Sequence, residues 1–310
     1  APLLFDNIVS RGIITVIDLV VNSFFGSLIA VMGVLINFII PLQNYLLKID
    51  AVREVWGIFR DFSNLFFILL LIITAFATIF NYSKYSYKEL LPKIIIVALL
   101  INFSFVIFQW TIDLLWTPAN IFIRAMGGEP QKIGDLLGGP LKVNEIATGD
   151  FGKTVISNES SVGGGILVFA LMKLLFYTVI LFALGWIALV LIIRIPVLVG
   201  LAMISPIAWI SYAFPPIKDV WEKWWHQVIR WGLIPFYYLA VIYFVLLFNS
   251  RVAVYVYQLP IEEGIEEINS FWPLAANSTL LMFINIGLLL AGLYWAHQFA
   301  NKSGAFGYNF

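Results

Sequence analysis

Residues 166–214 read ILVFALMKLLFYTVILFALGWIALVLIIRIPVLVGLAMISPIAWISYAF, almost wholly apolar over 49 residues. A helix needs ~20 apolar residues to cross ~30 Å of hydrocarbon, so this stretch is long enough for about two crossings. The sequence places the break at Arg194-Ile-Pro196, where a charge and a helix-breaker coincide. The second half, 197–214, carries Ser205-Pro206 in its middle. It reads as a kinked element, either a short span or a re-entrant pair of half-helices.

The composition of the whole chain agrees with this stretch. Of 310 residues, 61% are hydrophobic and 12% charged, against about 45–50% and about 25% in soluble domains. Mean hydropathy is +0.94. Too few polar groups remain to cover a soluble surface, so the reading is an all-α, polytopic membrane protein. Lys plus Arg and Asp plus Glu are both 18, which leaves no basic footprint for nucleic acid. The absence of cysteine removes disulfides, thiolate metal sites and thiol nucleophiles together.

Further spans follow by the same rule. Residues 13–47 are too long for one upright helix and are interrupted by Asp18, Asn22 and Ser23. They divide into an amphipathic first helix to about Val21 and a span over about 24–40. Residues 62–82 form the cleanest span, and 94–116 a third that holds Asn102, Gln109 and Asp113 and is ended by Pro118. Trp231–Phe248 and Leu280–Phe299 complete six crossings, or seven if 197–214 also spans. Three regions result: 1–124 with the first helix and three spans, a Gly-rich aqueous loop over 125–165, and 166–310. Gly163, Gly164 and Gly165 read as the flexible joint that closes the loop.

Orientation stays open on the charges. With seven spans, Lys48, Arg53, Arg60, Lys218, Lys223, Arg230 and Lys302 oppose Arg11, Lys84, Lys88, Lys93, Arg194 and Arg251, a near-balance that the positive-inside rule does not resolve. The chain begins Ala1-Pro2. Removal of an export signal would leave such a start and place it outside, and a cut of the sequence would leave the same start.

The most specific local pattern is PPIKDVWEKWWHQVIRW over 215–231. Trp221, Trp224, Trp225, Val228 and Trp231 fall on one helical face, with Lys218, Asp219, Glu222, Lys223, His226 and Arg230 on the other. Indoles and long cationic side chains both favour the headgroup zone. The expectation is an interfacial helix anchored by Trp221, Trp224, Trp225, Trp231, Lys218, Lys223 and Arg230, with a docking face for a partner as a second use. Ionisable and polar residues inside spans are costly, so Asp113, Arg194 and Asn102 are intramembrane candidates. Against a relay, Asp113 reads as a headgroup-boundary or hydrogen-bonded group and Arg194 as a snorkelling anchor at the turn. Ser205 and Pro206 mark a helix break of the kind that lines transporter sites, or a packing kink. Glu262, Glu263, Glu266 and Glu267 read as a solvated acidic helix. His226 and His297 lack metal-ligand spacing, and neither a phosphate loop nor a nucleophile elbow is present. No catalytic, cofactor or metal residue is assigned. The small residues Ser23, Gly26, Ser27, Ala30 and Gly33 are the best candidates for close helix contact or a subunit interface.

Several stretches share an order with a known family. They are Arg60-Asp-Phe-Ser-Asn-Leu-Phe-Phe-Ile68, Ala75-Phe-Ala-Thr-Ile79, Leu90-Leu-Pro-Lys93, Ala98-Leu-Leu-Ile-Asn-Phe-Ser104, Arg194-Ile-Pro-Val-Leu198, Ser205-Pro-Ile-Ala-Trp209, and Lys223-Trp-Trp225 through Trp231 to Pro235. The chain resembles the VirB/TrbL-type polytopic membrane subunit of type IV secretion systems, in the form found in candidate-phylum bacteria. The resemblance implies a non-enzymatic, oligomeric platform in the bacterial inner membrane. Its partners would be other secretion membrane subunits, with ATPases supplying energy, and it carries no direct nucleic-acid site. The alternative is a stand-alone secondary transporter that uses the Ser205-Pro206 break and Asp113.

Overall fold

The computed structural model describes residues 23–40, 42, 45–80, 87–126, 163–257 and 271–303. Among them the chain is helical throughout, without strands. The helices are α1 (Ser23–Ile40), α2 (Asp50–Ile79), α3 (Tyr87–Ala125), α4 (Gly163–Met203), α5 (Ser205–Ala213), a 3-10 turn at Pro215–Ile217, α6 (Lys218–Tyr257) and α7 (Phe271–Ser303). Six are long and apolar enough to cross a membrane, over Ser23–Ile40, Asp50–Ile79, Leu91–Ala125, Lys173–Met203, Lys218–Phe248 and Met282–Ser303. This is a multi-pass membrane protein. The first amphipathic helix, the loop residues 127–162 and the glutamates at 262–267 lie outside the described residues.

Helix α2 shows why these segments suit a bilayer. Ser63, Phe67, Leu70, Thr74 and Ala77 recur every three or four residues and are buried, while Leu65, Ile68, Ile72, Phe76 and Ile79 lie exposed on the other faces. In water so long an apolar exterior would drive association; against acyl chains it is neutral. Thr74 and Thr78 each donate to the carbonyl four residues back at 2.7 Å, so their hydroxyls stay satisfied in apolar surroundings.

The boundaries differ from the sequence reading at four places. Helix α4 runs through Arg194 and Pro196 and stops only at Met203. A proline inside a helix removes one backbone bond, whereas a break in apolar surroundings strands several groups. The break falls instead at Ile204, whose φ of −85° and ψ of 2° leave the helix, with Pro206 in the first turn of α5. Donors are on hand there: Ile204 N–H reaches the Gly200 carbonyl at 3.1 Å and the Trp224 indole reaches that of Leu201 at 3.0 Å. Residues 197–203 therefore finish α4, and α5, at nine residues, is ~14 Å long and too short to cross. Among the described residues the spanning set is six, not seven. Pro118 likewise lies inside α3 instead of ending it, the glycines at 163–165 already belong to α4, and no boundary separates 215–231 from the span after it, because α6 is one helix of 40 residues.

The chain forms two compact units. The first comprises Ala1–Phe38, Phe122–Leu189 and Tyr238–Trp295. In it Phe25 stacks on buried Tyr177 at 5.6 Å, and Val241 lies where a side chain at Gly292 would have to go. The second comprises Ile39–Ile121, Val190–Tyr237 and Ala296–Phe310. Its larger core joins Leu47, Val52 and Trp56 to Phe105, Phe108, Ile112, Leu198, Leu201, Ala208, Trp224 and Val228. A smaller one joins α2 and α3 to α5 through Phe67, Leu70, Val97, Ile101, Ile210 and Ala213.

Candidate functional site

The polar residues of the second unit meet at three backbone or side-chain acceptors. Arg194 is 3% exposed. Its Nε donates to the Trp231 carbonyl at 2.7 Å, and its guanidinium lies 5.6 Å from the Trp116 ring centre. In an uninterrupted helix that carbonyl would accept the N–H of residue 235, but residue 235 is proline and has none. The guanidinium thus meets a carbonyl orphaned by Pro235, and cation–π contact adds to its stabilisation. A snorkelling anchor at a turn is not what the structure holds: Arg194 lies within a continuous helix and is directed into the unit. It ties α4, α6 and α3 together at one point.

Trp224 acts in the same way. At 5% exposed it belongs to the core, and its indole N–H meets the Leu201 carbonyl in the last turn of α4, just before the break. Carbonyls at a helix end have no helical partner, and here a side chain from α6 supplies one. Around it Trp209, Tyr212, Trp221, Trp224 and Trp225 form a continuous aromatic cluster. Trp209 and Trp221 are 4.6 Å apart, and Trp221 stacks on Trp225 at 5.7 Å and 9°. The tryptophan face read as headgroup-facing is therefore largely turned onto protein. Lys218 and Lys223 are exposed, with Lys218 paired to Glu222 at 3.5 Å. Trp231 is half-buried and donates to Gln227 Oε1 at 3.0 Å.

The third pairing joins α2 to α3: the Trp56 indole donates to Ser104 Oγ at 2.9 Å, both groups buried. Arg60 covers the same Trp56 ring at 5.2 Å while bonded to Asp61 at 2.8 Å.

The remaining candidates stand apart from these nodes. Asn102 is exposed, and its amide returns to its own helix, to Ala98 O at 2.9 Å. Asp113 is exposed, with no ion pair among the described residues. Ser205 and Pro206 are buried at the start of α5, and Ser205 Oγ has no hydrogen-bond partner. Gly26 has open space around it and Ser23, Ser27 and Ala30 are exposed. Gly33 of the same stretch is buried, and Leu115 lies over Gly232 and Val241 over Gly292. Among the described residues no group of three or more His, Asp or Glu could hold a metal ion.

Three features escaped the sequence reading although signals existed for two. Pro235 four residues after Trp231 announces an orphan carbonyl. Gly232 beside it permits close packing. The Trp56–Ser104 pair joins residues 48 apart, and nothing local marks it. Lys173 and Asn285, buried in the first unit at 2% and 3% exposed, were likewise passed over inside apolar runs. No family model, curated protein or solved structure matches this chain.

Proposed function

We propose that this membrane protein is a platform subunit of a type IV secretion or conjugation-like machine in the bacterial inner membrane, acting by helix packing and self-association with partner subunits. The resemblance in sequence order is the origin of this reading. One observation carries it further: every stretch that bears the resemblance, from Arg60 to Pro235, falls in the second unit. Their residues supply that unit's linking bonds, Ser104 to Trp56, Arg194 to Trp231 and Trp224 to Leu201. Stretches that are distant in sequence and resemble one family together also form one packed body, as expected if a shared fold underlies the likeness.

The broken helix at Ile204 is the feature that favours a transporter. Two carbonyls at the break, those of Leu201 and Ile204, are however met by donors within the protein. The Gly200 carbonyl takes Ile204 N–H, Leu201 takes the Trp224 indole, and the Ile204 carbonyl takes Ile207 N–H at 3.1 Å. Groups already met by protein donors do not present themselves to a solute.

The test is purification from native membranes in mild detergent, with the co-purifying proteins identified by mass spectrometry. The platform reading expects an oligomer or a stable complex that includes secretion ATPase or channel subunits. A monomer without such partners, which moves a solute into liposomes, overturns it.

A further inference from the structure

Within the second unit, an exposed carboxylate and a half-buried guanidinium stand at one height on different helices. The register of α3 against α6 fixes this. Phe108 packs on Trp224 at 6.2 Å, Ile112 and Val228 share the core cluster, and Leu115 lies over Gly232. The two helices therefore run parallel. Asp113, two residues before Leu115, is level with Arg230, two residues before Gly232. At ~100° per residue neither falls on the face that joins the helices.

Neither group forms an ion pair among the described residues. Asp113 is exposed beside Trp110 and Leu114, themselves 72% and 70% exposed, on the outer side of a spanning helix. A carboxylate on such a face is costly against lipid and normally finds a partner. Arg230 is half-buried, its guanidinium 5.5 Å from the Trp231 ring centre and its Nε without a hydrogen-bond partner. His226, one turn earlier on α6, is the titratable group nearest to it in sequence on that helix.

We propose that a second copy of this chain covers the Asp113 face of α3, seating its own Arg230 against Asp113. Copies inserted in one orientation are related by rotation about the membrane normal, which leaves depth unchanged. Opposite charges at equal height on different faces are therefore brought together by that rotation. The contact is head-to-tail, with a different patch on each copy, and its repetition gives a ring where the rotation closes. This deepens the platform reading and rests on it only in requiring self-association.

The chain has no cysteine, so single thiols report contacts without background. Differently tagged chains carrying Asp113→Cys and Arg230→Cys are co-expressed and treated in membranes with a short bis-maleimide. The expected result is a cross-linked mixed dimer in severalfold excess over that from either variant alone, because only the mixed chains set a thiol at 113 of one copy against a thiol at 230 of the next. Mixed chains no better linked than single variants overturn the proposal. The native mass of the unmodified chain separates the two readings: an oligomer without the mixed cross-link overturns this contact alone, and a monomer that also lacks secretion partners and moves a solute into liposomes overturns both. Charge reversal gives the second arm. Asp113→Arg and Arg230→Asp should each dissociate the oligomer, and the double variant should restore it. Recovery in the double excludes misfolding as the cause, and an oligomer unchanged by either reversal overturns the ion pair.

Discussion

The second unit contains prolines inside its helices at 92, 118, 196 and 235, while the first unit's stretches 23–38, 171–189, 238–248 and 282–295 contain none. The bonding follows the same division. In the second unit a guanidinium meets the Trp231 carbonyl and an indole meets the Leu201 carbonyl. In the first, a long-range bond joins two side chains, from the Trp186 indole to the Tyr238 hydroxyl at 3.2 Å, as Trp56 and Ser104 are joined in the second. Backbone groups must be satisfied inside an apolar phase, so an interrupted helix recruits polar donors. On this account Arg194 lies inside the protein because the proline opposite requires a donor.

Removing that donor should have the largest effect. Arg194→Leu leaves the Trp231 carbonyl unmet and is expected to lower stability by about 1.5–3 kcal/mol, the range for a hydrogen bond to a charged group. The distinguishing variant is Pro235→Ala, which restores a backbone N–H four residues after Trp231. Added to Arg194→Leu it should recover about 1 kcal/mol, measured by denaturant titration in micelles with tryptophan fluorescence. No recovery would show that Arg194 serves something other than the orphaned carbonyl.

A smaller effect should separate the two units directly. Trp224→Phe keeps most of the ring but withdraws the donor from Leu201 at the helix break, so a loss of about 1–2 kcal/mol is expected. Trp186→Phe removes a bond between two side chains, and intramembrane hydrogen bonds of that kind average ~0.6 kcal/mol. Equal losses in the same titration would mean that backbone interruption does not set the value of these bonds.

Much of the architecture was legible from composition and run length, because a bilayer admits few solutions. All-helical structure and six spanning segments follow from apolar runs of about 20 residues. The breaks were read less well. Pro118 and Pro196 look like terminators by intrinsic propensity, yet both lie inside helices, since continuing through one lost bond exposes less backbone than stopping. Trp224 was placed on the correct helical face, but amphipathicity does not say whether an aromatic face meets headgroups or protein. Arg194 was legible as unusual; its role depends on Trp231, 37 residues away, and on the proline after it.

Asn285 offers the last and smallest test, with the sign reversed. It is 3% exposed on α7 in the first unit, and neither its Oδ1 nor its Nδ2 has a hydrogen-bond partner. If that unit is held by apolar packing along uninterrupted helices, the amide contributes no bond and carries a desolvation cost. Leucine is close to it in volume. Asn285→Leu should therefore leave stability unchanged or raise it by up to ~1 kcal/mol, because an unmet buried polar group is removed. Asn285→Ala should lower it through the space left behind, with a cost that depends on how far the neighbours close in. A loss of more than about 1 kcal/mol in the leucine variant would mean that the amide is bonded in the membrane and that the first unit, too, depends on a buried polar contact.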